Sequence, residues 1–398
     1  MRMKFEDSEE NYFFSQPHQP FFVLAFVNAI VIMLIFMLSY KGVINIGISP
    51  VSFHAYGLIY LMFTPAFFAF LFTTFPKFTA TPIITKKQYM PIFNLYYLGS
   101  SIYILGSIAT PIFSSIGMFI VLIGHIMGVL ILKNIYNSTK MKERHDVYWI
   151  LKAMIFGVLS HILFIIAQLF YMPLNGIAVE IAIYLYMFMV TFSVAQRMIP
   201  FFSHSMEGRN DTLMKSVFIL LLLHVVLESI VTNSSFIVDI LLGLLIGKEL
   251  LRWKLQFPNP NPLLLILHIS LFWIPISFIL SGLTNAISLL SDVSFLALDT
   301  HALMLGFLFT VLIGFGTRVT IGHSGNTMQA DKWTVRLFYW TQVVVVSRIL
   351  LSLAAAFGWN FMILFDISVT VWILMFIAWA VRFFAVLING KKLTNIEA

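Results

Sequence analysis

Twelve long apolar runs leave this chain few ways to fold. Each is about 20 residues long, the length of helix that crosses the hydrocarbon core of a bilayer. The chain is 60% hydrophobic and 10% charged, whereas a soluble domain is about 25% charged. We therefore predict an all-α, polytopic membrane protein with twelve transmembrane helices, at roughly 20–40, 52–76, 89–109, 111–136, 147–170, 174–199, 213–232, 235–251, 262–285, 295–317, 333–357 and 360–388.

The basic residues predict the orientation of these spans. Lys and Arg concentrate in the cytoplasmic loops of membrane proteins. Here they lie in the amino-terminal arm, in every second loop and in the tail, while the opposite loops hold only Lys41. We predict a cytoplasmic arm at 1–19, a single membrane domain at 20–388 and a cytoplasmic tail at 389–398. The net charge of +7 follows from this rule and does not indicate a nucleic-acid partner.

Ionisable residues inside membrane spans are costly and are candidate functional residues. With both termini inside, they collect in the predicted outer half of the bundle. They are His54, Glu180, Glu228, Asp239, Asp299, His301, Arg348 and Asp366, with His161 and His224 near mid-depth. The chain has no Cys, which excludes disulfides, thiolate metal sites and covalent c-type haem attachment. Any metal would need His, Met or carboxylate ligands.

Two of these histidines have the placement of haem ligands. His54 in span two and His301 in span ten lie at similar depth on different helices, so they can fill both axial positions of a haem iron. Arg348 is a candidate partner for a haem propionate or for one of the outer acids.

A second metal site has His224 and His161 as candidate ligands. His224 and Glu228 are four residues apart and share one helix face. Glu228 can therefore orient His224 or relay a proton.

Every one of these residues also has a structural interpretation. A single His in a membrane helix often only hydrogen-bonds a neighbouring helix. Asp239 and Asp299 stand where carboxylates cap helices and favour the positive end of the helix dipole. Arg318 suits an anchor at the inner face. The residues alone leave both interpretations open.

Span ten has the pattern of an interior helix. Gly306, Thr310 and Gly314 recur at every fourth residue, a stripe of small residues that allows another helix to pack closely. In span two, Pro65 lies within the apolar run and predicts a kink.

A weak internal repeat relates spans two, six and ten. Their inner ends are similar, with a period of four helices, which predicts three arcs of four helices. The three segments are 75–79, 197–203 and 317–323.

At these segments the sequence resembles the NnrS family of twelve-span bacterial membrane proteins. Span ten and its inner end carry the strongest likeness, and segments around His54, Arg197 and Arg348 add to it. Within span ten the matching residues are His301-Ala302-Leu303, Gly306-Phe307, Thr317-Arg318-Val319 and Gly322-His323-Ser324-Gly325. The resemblance implies a bacterial inner-membrane protein associated with haem and copper, and with the response to nitric oxide and nitrosative stress. Arg197, Arg318 and His323 are further candidate site residues on this basis.

The chain departs from the family pattern in span two. The family opens this span with His-Ala-His-Glu, and here the residues are His54-Ala55-Tyr56-Gly57. This weakens the expectation of copper more than that of haem.

The architecture also resembles the catalytic subunit of haem–copper oxidases, with twelve helices in three arcs and a bis-His haem held by helices two and ten. A full binuclear centre is not expected, because span six has no His and span seven has only His224.

A transporter of haem, metal or another small solute is the alternative. Twelve spans with internal repeats and buried charges suit that function as well. The expected partners are the lipid bilayer and an electron donor or a small ligand such as nitric oxide.

Overall fold

A computed structural model describes residues 11–291 and 293–393. The predicted arm and tail lie partly outside these residues. Within the described part, all regular elements are helices. The long helices are α1 (His18–Tyr40), α2 (Pro50–Thr79), α3 (Lys86–Ala109), α4 (Pro111–Ser138), α5 (His145–Leu169), α6 (Leu174–Phe202), α7 (Leu213–Ile230), α8 (Phe236–Arg252), α9 (Pro262–Leu290), α10 (Leu298–His323), α11 (Lys332–Phe357) and α12 (Phe361–Asn389).

Eleven of these described helices are long and apolar enough to cross a membrane. The exception, α8, has 17 residues, which is at the short end of the range of about 17–25 that spans a bilayer. The prediction of an all-α, polytopic membrane protein is confirmed. The arrangement in three arcs stays a prediction.

Prolines and short polar residues set several helix starts. Ser49 caps α2 by accepting a hydrogen bond from the backbone N–H of Ser52, and Pro50 follows it. Asp331 caps α11 in the same way, with the Thr334 N–H as donor. A side-chain oxygen at this position satisfies one of the N–H groups that a helix leaves without a partner. Asn261 and Pro262 mark the start of α9 similarly.

Helices α2, α6 and α10 differ from the others in two respects. Each contains a π-helical segment, at Gly57–Phe63, Ile181–Phe188 and Ala302–Phe309. Their most apolar windows are 83%, 83% and 89% buried, compared with 56% or less for the other described spans. Long π segments are rare and often occur at functional sites. The period of four helices seen in the sequence therefore has a structural counterpart.

Pro65 illustrates how a buried helix tolerates a proline. It follows the π segment of α2 and has no N–H for the carbonyl of Leu61. Asn28 of α1 supplies the missing donor, since its Nδ2 lies 2.7 Å from that carbonyl oxygen. Neighbouring helices often satisfy such carbonyls in membrane proteins.

The chain divides into two compact units. The first contains the described residues up to Ala178, Gly316–Met328 and those from Phe376 onward, and the second contains the rest. In the first unit, α3 and α4 approach so closely that a Cβ on Gly117 would lie 2.5 Å from the Tyr103 nitrogen. Phe26 of α1 packs against Phe376 and Trp379 of α12.

In the second unit, the small-residue stripe of α10 packs against α9. A Cβ on Gly306 would lie 2.6 Å from ring carbons of Trp273, and one on Gly314 would lie 2.8 Å from a methyl of Leu267. The predicted close packing of span ten is thus confirmed. Trp273 is fixed in place because its Nε1 donates to Gln342 Oε1 over 2.8 Å.

Replacing Gly306 with Ala should destabilise the protein. The added methyl overlaps the ring of Trp273, and overpacking of this kind costs about 1–3 kcal/mol. The measurement is thermal unfolding in detergent, with Gly176→Ala as the matched control, because a Cβ on Gly176 meets nothing within 4 Å. Equal stability of the two variants would contradict the packing described.

Candidate functional site

Three helices of the second unit bring two carboxylates to one imidazole. Nδ1 of His224, on α7, lies 2.5 Å from Oδ1 of Asp239 on α8. Nε2 of the same ring lies 3.4 Å from Oε2 of Glu180 on α6. We call these three residues the carboxylate–histidine cluster. His224 is 1% exposed, Asp239 0% and Glu180 26%, so the cluster is buried and opens at Glu180.

Hydrogen bonds fix the buried carboxylate of Asp239. Its Oδ2 accepts from the hydroxyls of Ser235 and Ser281, each at 2.8 Å, and from Asn285 Nδ2 at 3.2 Å. A buried charge is tolerated when its oxygens are satisfied in this way. Asp239 also lies in the first turn of α8, where the helix dipole favours a negative charge.

The two contacts of His224 differ in strength. Its Nδ1 makes a short hydrogen bond to Asp239, whereas Nε2 and Glu180 Oε2 have no hydrogen-bond partner among the described residues. These two buried atoms are 3.4 Å apart, within ion-pair distance but without hydrogen-bonding geometry. His224 is therefore held by Asp239, with Glu180 as a second carboxylate near its other ring nitrogen.

Helix α10 extends the polar region. The ring of Tyr184 on α6 lies 4.0 Å from that of His224, and its hydroxyl lies near Thr300 of α10. Asp299, beside Thr300, is close enough to Glu180, His224 and Asp239 to interact with them electrostatically. Three of the predicted outer acids, Glu180, Asp239 and Asp299, thus lie near His224.

His301 sits in a second polar group of this unit. Its Nδ1 lies 2.8 Å from the carbonyl of Ala297 and 3.1 Å from Nη2 of Arg348. Nη2 also donates to the carbonyl of Leu296 at 3.1 Å, and Nη1 donates to Ser352. Arg348 interacts electrostatically with Asp299, one of the predicted outer acids.

The turn before α10 has an unusual backbone. Leu296 and Ala297 both have left-handed φ values, of 47° and 51°. Such conformations cost about 1–3 kcal/mol per non-glycine residue and persist only where neighbours enforce them. Arg348 and His301 bind the two carbonyls of this turn, so the strained backbone and the imidazole position each other.

His54, the other predicted haem ligand, belongs to the first unit. It lies in the first turns of α2, is half-buried and packs its ring 4.5 Å from that of Phe36 on α1. His161 is fully buried in the same unit. Its Nε2 contacts the hydroxyl of Tyr56 at 2.9 Å and its Nδ1 contacts Nδ1 of His125 at 3.3 Å.

The remaining candidates, Glu228 and Arg197, do not contact His224 or His301 in the hydrogen bonds described here. Glu228 accepts hydrogen bonds from the backbone N–H groups of Asn233 and Ser235 and so organises the turn before α8. The carboxylate partners of His224 are therefore Asp239 and Glu180. The prediction that Glu228 orients His224 is wrong. Arg197 is half-buried near the end of α6.

At the end of α10, His323 bonds Gln16 Oε1 through Nδ1 at 2.8 Å, and its ring lies 4.9 Å from that of His18. Arg318, on the same helix, is half-buried. This group belongs to the first unit and contains His18, which sequence reasoning had left out of the candidates.

Asp239→Asn should unfold more easily than the wild type. The variant keeps the shape of the side chain but removes the charge that pairs with His224. Breaking one side of a buried ion pair costs about 3–5 kcal/mol. The measurement is the free energy of unfolding in detergent. Asp211→Asn is the control, because Asp211 pairs with Arg209 at the surface and such pairs contribute about 0–1 kcal/mol. Equal losses in both variants would refute a stabilising role for the cluster.

Comparison with known proteins supplies the family. No curated protein matches this chain. The family model described as "NnrS protein" matches residues 12–391, nearly the whole chain, including all twelve long helices and both predicted haem ligands. The chain therefore belongs to the NnrS family of membrane proteins.

Proposed function

We propose that this NnrS-family protein binds haem in the membrane and serves the response to nitric oxide and nitrosative stress. The observation that most supports the proposal is the hydrogen bonding of His301 at the start of α10. Family membership and the corresponding position of His54 at the start of α2 support it.

The hydrogen bonds of His301 suit an iron ligand. Nδ1 has two possible partners: it can donate to the carbonyl of Ala297 at 2.8 Å, or accept from Nη2 of Arg348 at 3.1 Å. In the tautomer that donates to Ala297, the lone pair of the neutral ring is on Nε2, which is the form that the proposal requires. Histidines that bind metals commonly donate their other N–H to a carbonyl or carboxylate, which fixes the ring and raises its basicity.

Arg348 has a positioning role in this proposal. It holds the carbonyl of Leu296 and contacts Asp299 electrostatically, and it thereby stabilises the strained turn that carries the hydrogen-bond acceptor of His301. Its guanidinium is also a suitable partner for a haem propionate, since Arg binds carboxylates in a planar, two-pronged geometry.

His54 and His301 would hold the haem through their imidazoles. Haem held in this way would supply one-electron transfer. In this proposal the carboxylate–histidine cluster relays a proton between Glu180 and His224, whose atoms Oε2 and Nε2 lie 3.4 Å apart. Glu180, being 26% exposed, is the member through which a proton would enter.

The fit for copper is poorer. His161 has both ring nitrogens engaged by Tyr56 and His125, and His224 has a carboxylate on each side. In the described part of the chain no group of three His, Asp or Glu residues has the geometry to hold a metal ion. Copper binding stays a prediction from the family resemblance.

The proposed location is the bacterial inner membrane with both termini in the cytoplasm. The distribution of Lys and Arg among the loops supports this orientation, with Lys41 as the one basic residue in the predicted outer loops.

Transport of haem, metal or another small solute is the second candidate function. It is favoured by the buried ionisable residues of α6, α7, α8, α10 and α11, which resemble the proton and ion sites of transporters. Solute uptake into vesicles that depends on Glu180, with no haem spectrum in the purified protein, would favour transport over the haem proposal.

His54→Ala and His301→Ala should each convert a bis-His haem spectrum to that of a haem with one protein ligand. Each variant removes one axial imidazole, so the low-spin features weaken and the affinity for haem falls. Optical and electron paramagnetic resonance spectra of the purified, haem-loaded variants measure this. His204→Ala, an exposed residue outside the helices, is the control. An unchanged spectrum in either ligand variant would reject the ligand assignment.

Cysteine labelling should report the predicted orientation. The chain has no native Cys, so a single introduced Cys gives no background. Lys41→Cys should react with a membrane-impermeant thiol reagent in intact cells, and Lys142→Cys only after lysis, since both positions are exposed at opposite predicted faces. The reverse pattern would invert the proposed topology.

A further inference from the structure

A chain of three buried side chains in the first unit has the geometry of a proton-transfer unit. Tyr56 of α2, His161 of α5 and His125 of α4 are each 0% exposed. The Tyr56 hydroxyl lies 2.9 Å from His161 Nε2, and His161 Nδ1 lies 3.3 Å from His125 Nδ1. We call these residues the tyrosine–histidine chain. The haem proposal does not use it, and both ring nitrogens of His161, a candidate metal ligand, are engaged within it.

The hydrogen bonds can run in one direction through the chain. The phenol is the better proton donor of the first pair, so its O–H donates to His161 Nε2. The neutral ring of His161 then carries its proton on Nδ1 and donates to His125 Nδ1. A proton released by Tyr56 therefore has an acceptor at once, and a second imidazole lies beyond it.

The surroundings suit the oxidised form of a tyrosine. The rings of Tyr60 and Tyr103 lie 5.1 Å and 4.5 Å from that of Tyr56, and Phe164 lies at 5.3 Å. Tyr60 also stacks on His161, with centroids 4.0 Å apart. These side chains exclude water from the hydroxyl, so an oxidised ring is shielded from reductants in solution.

The geometry points to Tyr56 as a redox-active tyrosine, with His161 as its proton acceptor and His125 as the next residue along the proton path. The proposed oxidant is a one-electron nitrogen oxide radical such as nitrogen dioxide, an uncharged species that can enter a membrane protein from the bilayer. The inference does not require that the protein binds haem.

The step balances in electrons and protons. Tyr56 loses one electron to nitrogen dioxide, which becomes nitrite. Its O–H bond breaks, the proton moves to Nε2 of His161, and the products are a neutral tyrosyl radical and an imidazolium. His161 can then pass its Nδ1 proton to Nδ1 of His125. Return of one electron and the proton restores the tyrosine.

Tyr60 provides a matched control within the same helix. It is as buried as Tyr56 and four residues further along α2, but its hydroxyl donates to Ser160 Oγ over 3.0 Å. A serine hydroxyl is not a base, so an oxidised Tyr60 has no group that takes its proton. The two tyrosines thus differ in the feature on which the inference depends.

The experiment generates nitrogen dioxide by pulse radiolysis in the purified full-length protein and follows tyrosyl radicals by optical absorption and freeze-quench electron paramagnetic resonance. Exposed tyrosines should give only short-lived signals. The wild type should add a long-lived radical, which Tyr60→Phe retains and Tyr56→Phe loses. His161→Gln should lose it as well, because Gln accepts a hydrogen bond but not a proton.

A measurement on the wild-type protein tests the inference even if one of the variants does not fold. In protein with isotope-labelled histidine, pulsed electron paramagnetic resonance should detect coupling between the long-lived radical and an imidazole nitrogen. A wild type without a long-lived radical, a radical without this coupling, or equal loss in Tyr60→Phe and Tyr56→Phe would each overturn the inference. Unchanged lifetime in His161→Gln would do the same.

Discussion

The rest of the structure depends on one constraint: inside a bilayer, every polar group must find its partner within the protein. A helix provides hydrogen-bond partners for most of its own backbone groups. The remaining polar groups, mainly side chains and the carbonyls freed by proline, need partners on other helices. In this chain several of them are satisfied across helices. Asn28 bonds the carbonyl that Pro65 leaves without a donor, and Ser281 and Asn285 of α9 complete the shell of Asp239 on α8.

The same constraint links packing to the candidate sites. The π segments lie in α2, α6 and α10, the three most buried of the described spans. Next to these segments stand His54, Glu180 and His301. The π segment of α2 also contains Tyr60, which follows Tyr56 by about one helical turn. The candidate site residues thus lie beside irregular helical turns on interior helices. On such helices a change in backbone geometry would disturb the packing of neighbouring helices.

Much of the fold could be predicted from the sequence, because the length and apolarity of each run fix a membrane helix without knowledge of its neighbours. The spacing of residues in the sequence also predicted the internal repeat and the close packing at Gly306. It did not predict the partners of His224. The four-residue spacing to Glu228 shows a shared helix face, but whether Asp239 or Glu228 reaches the ring depends on how α7 and α8 rotate against each other. Likewise, no sequence period signals a π segment or the left-handed turn at Leu296 and Ala297.

The most direct test of the account is the optical spectrum of the purified wild-type protein after expression with ample haem. We expect a stoichiometric, low-spin haem with two imidazole ligands, with Nδ1 of His301 donating to the carbonyl of Ala297 and Nε2 left to bind the iron. A colourless protein, or a haem lacking imidazole ligation, would contradict it.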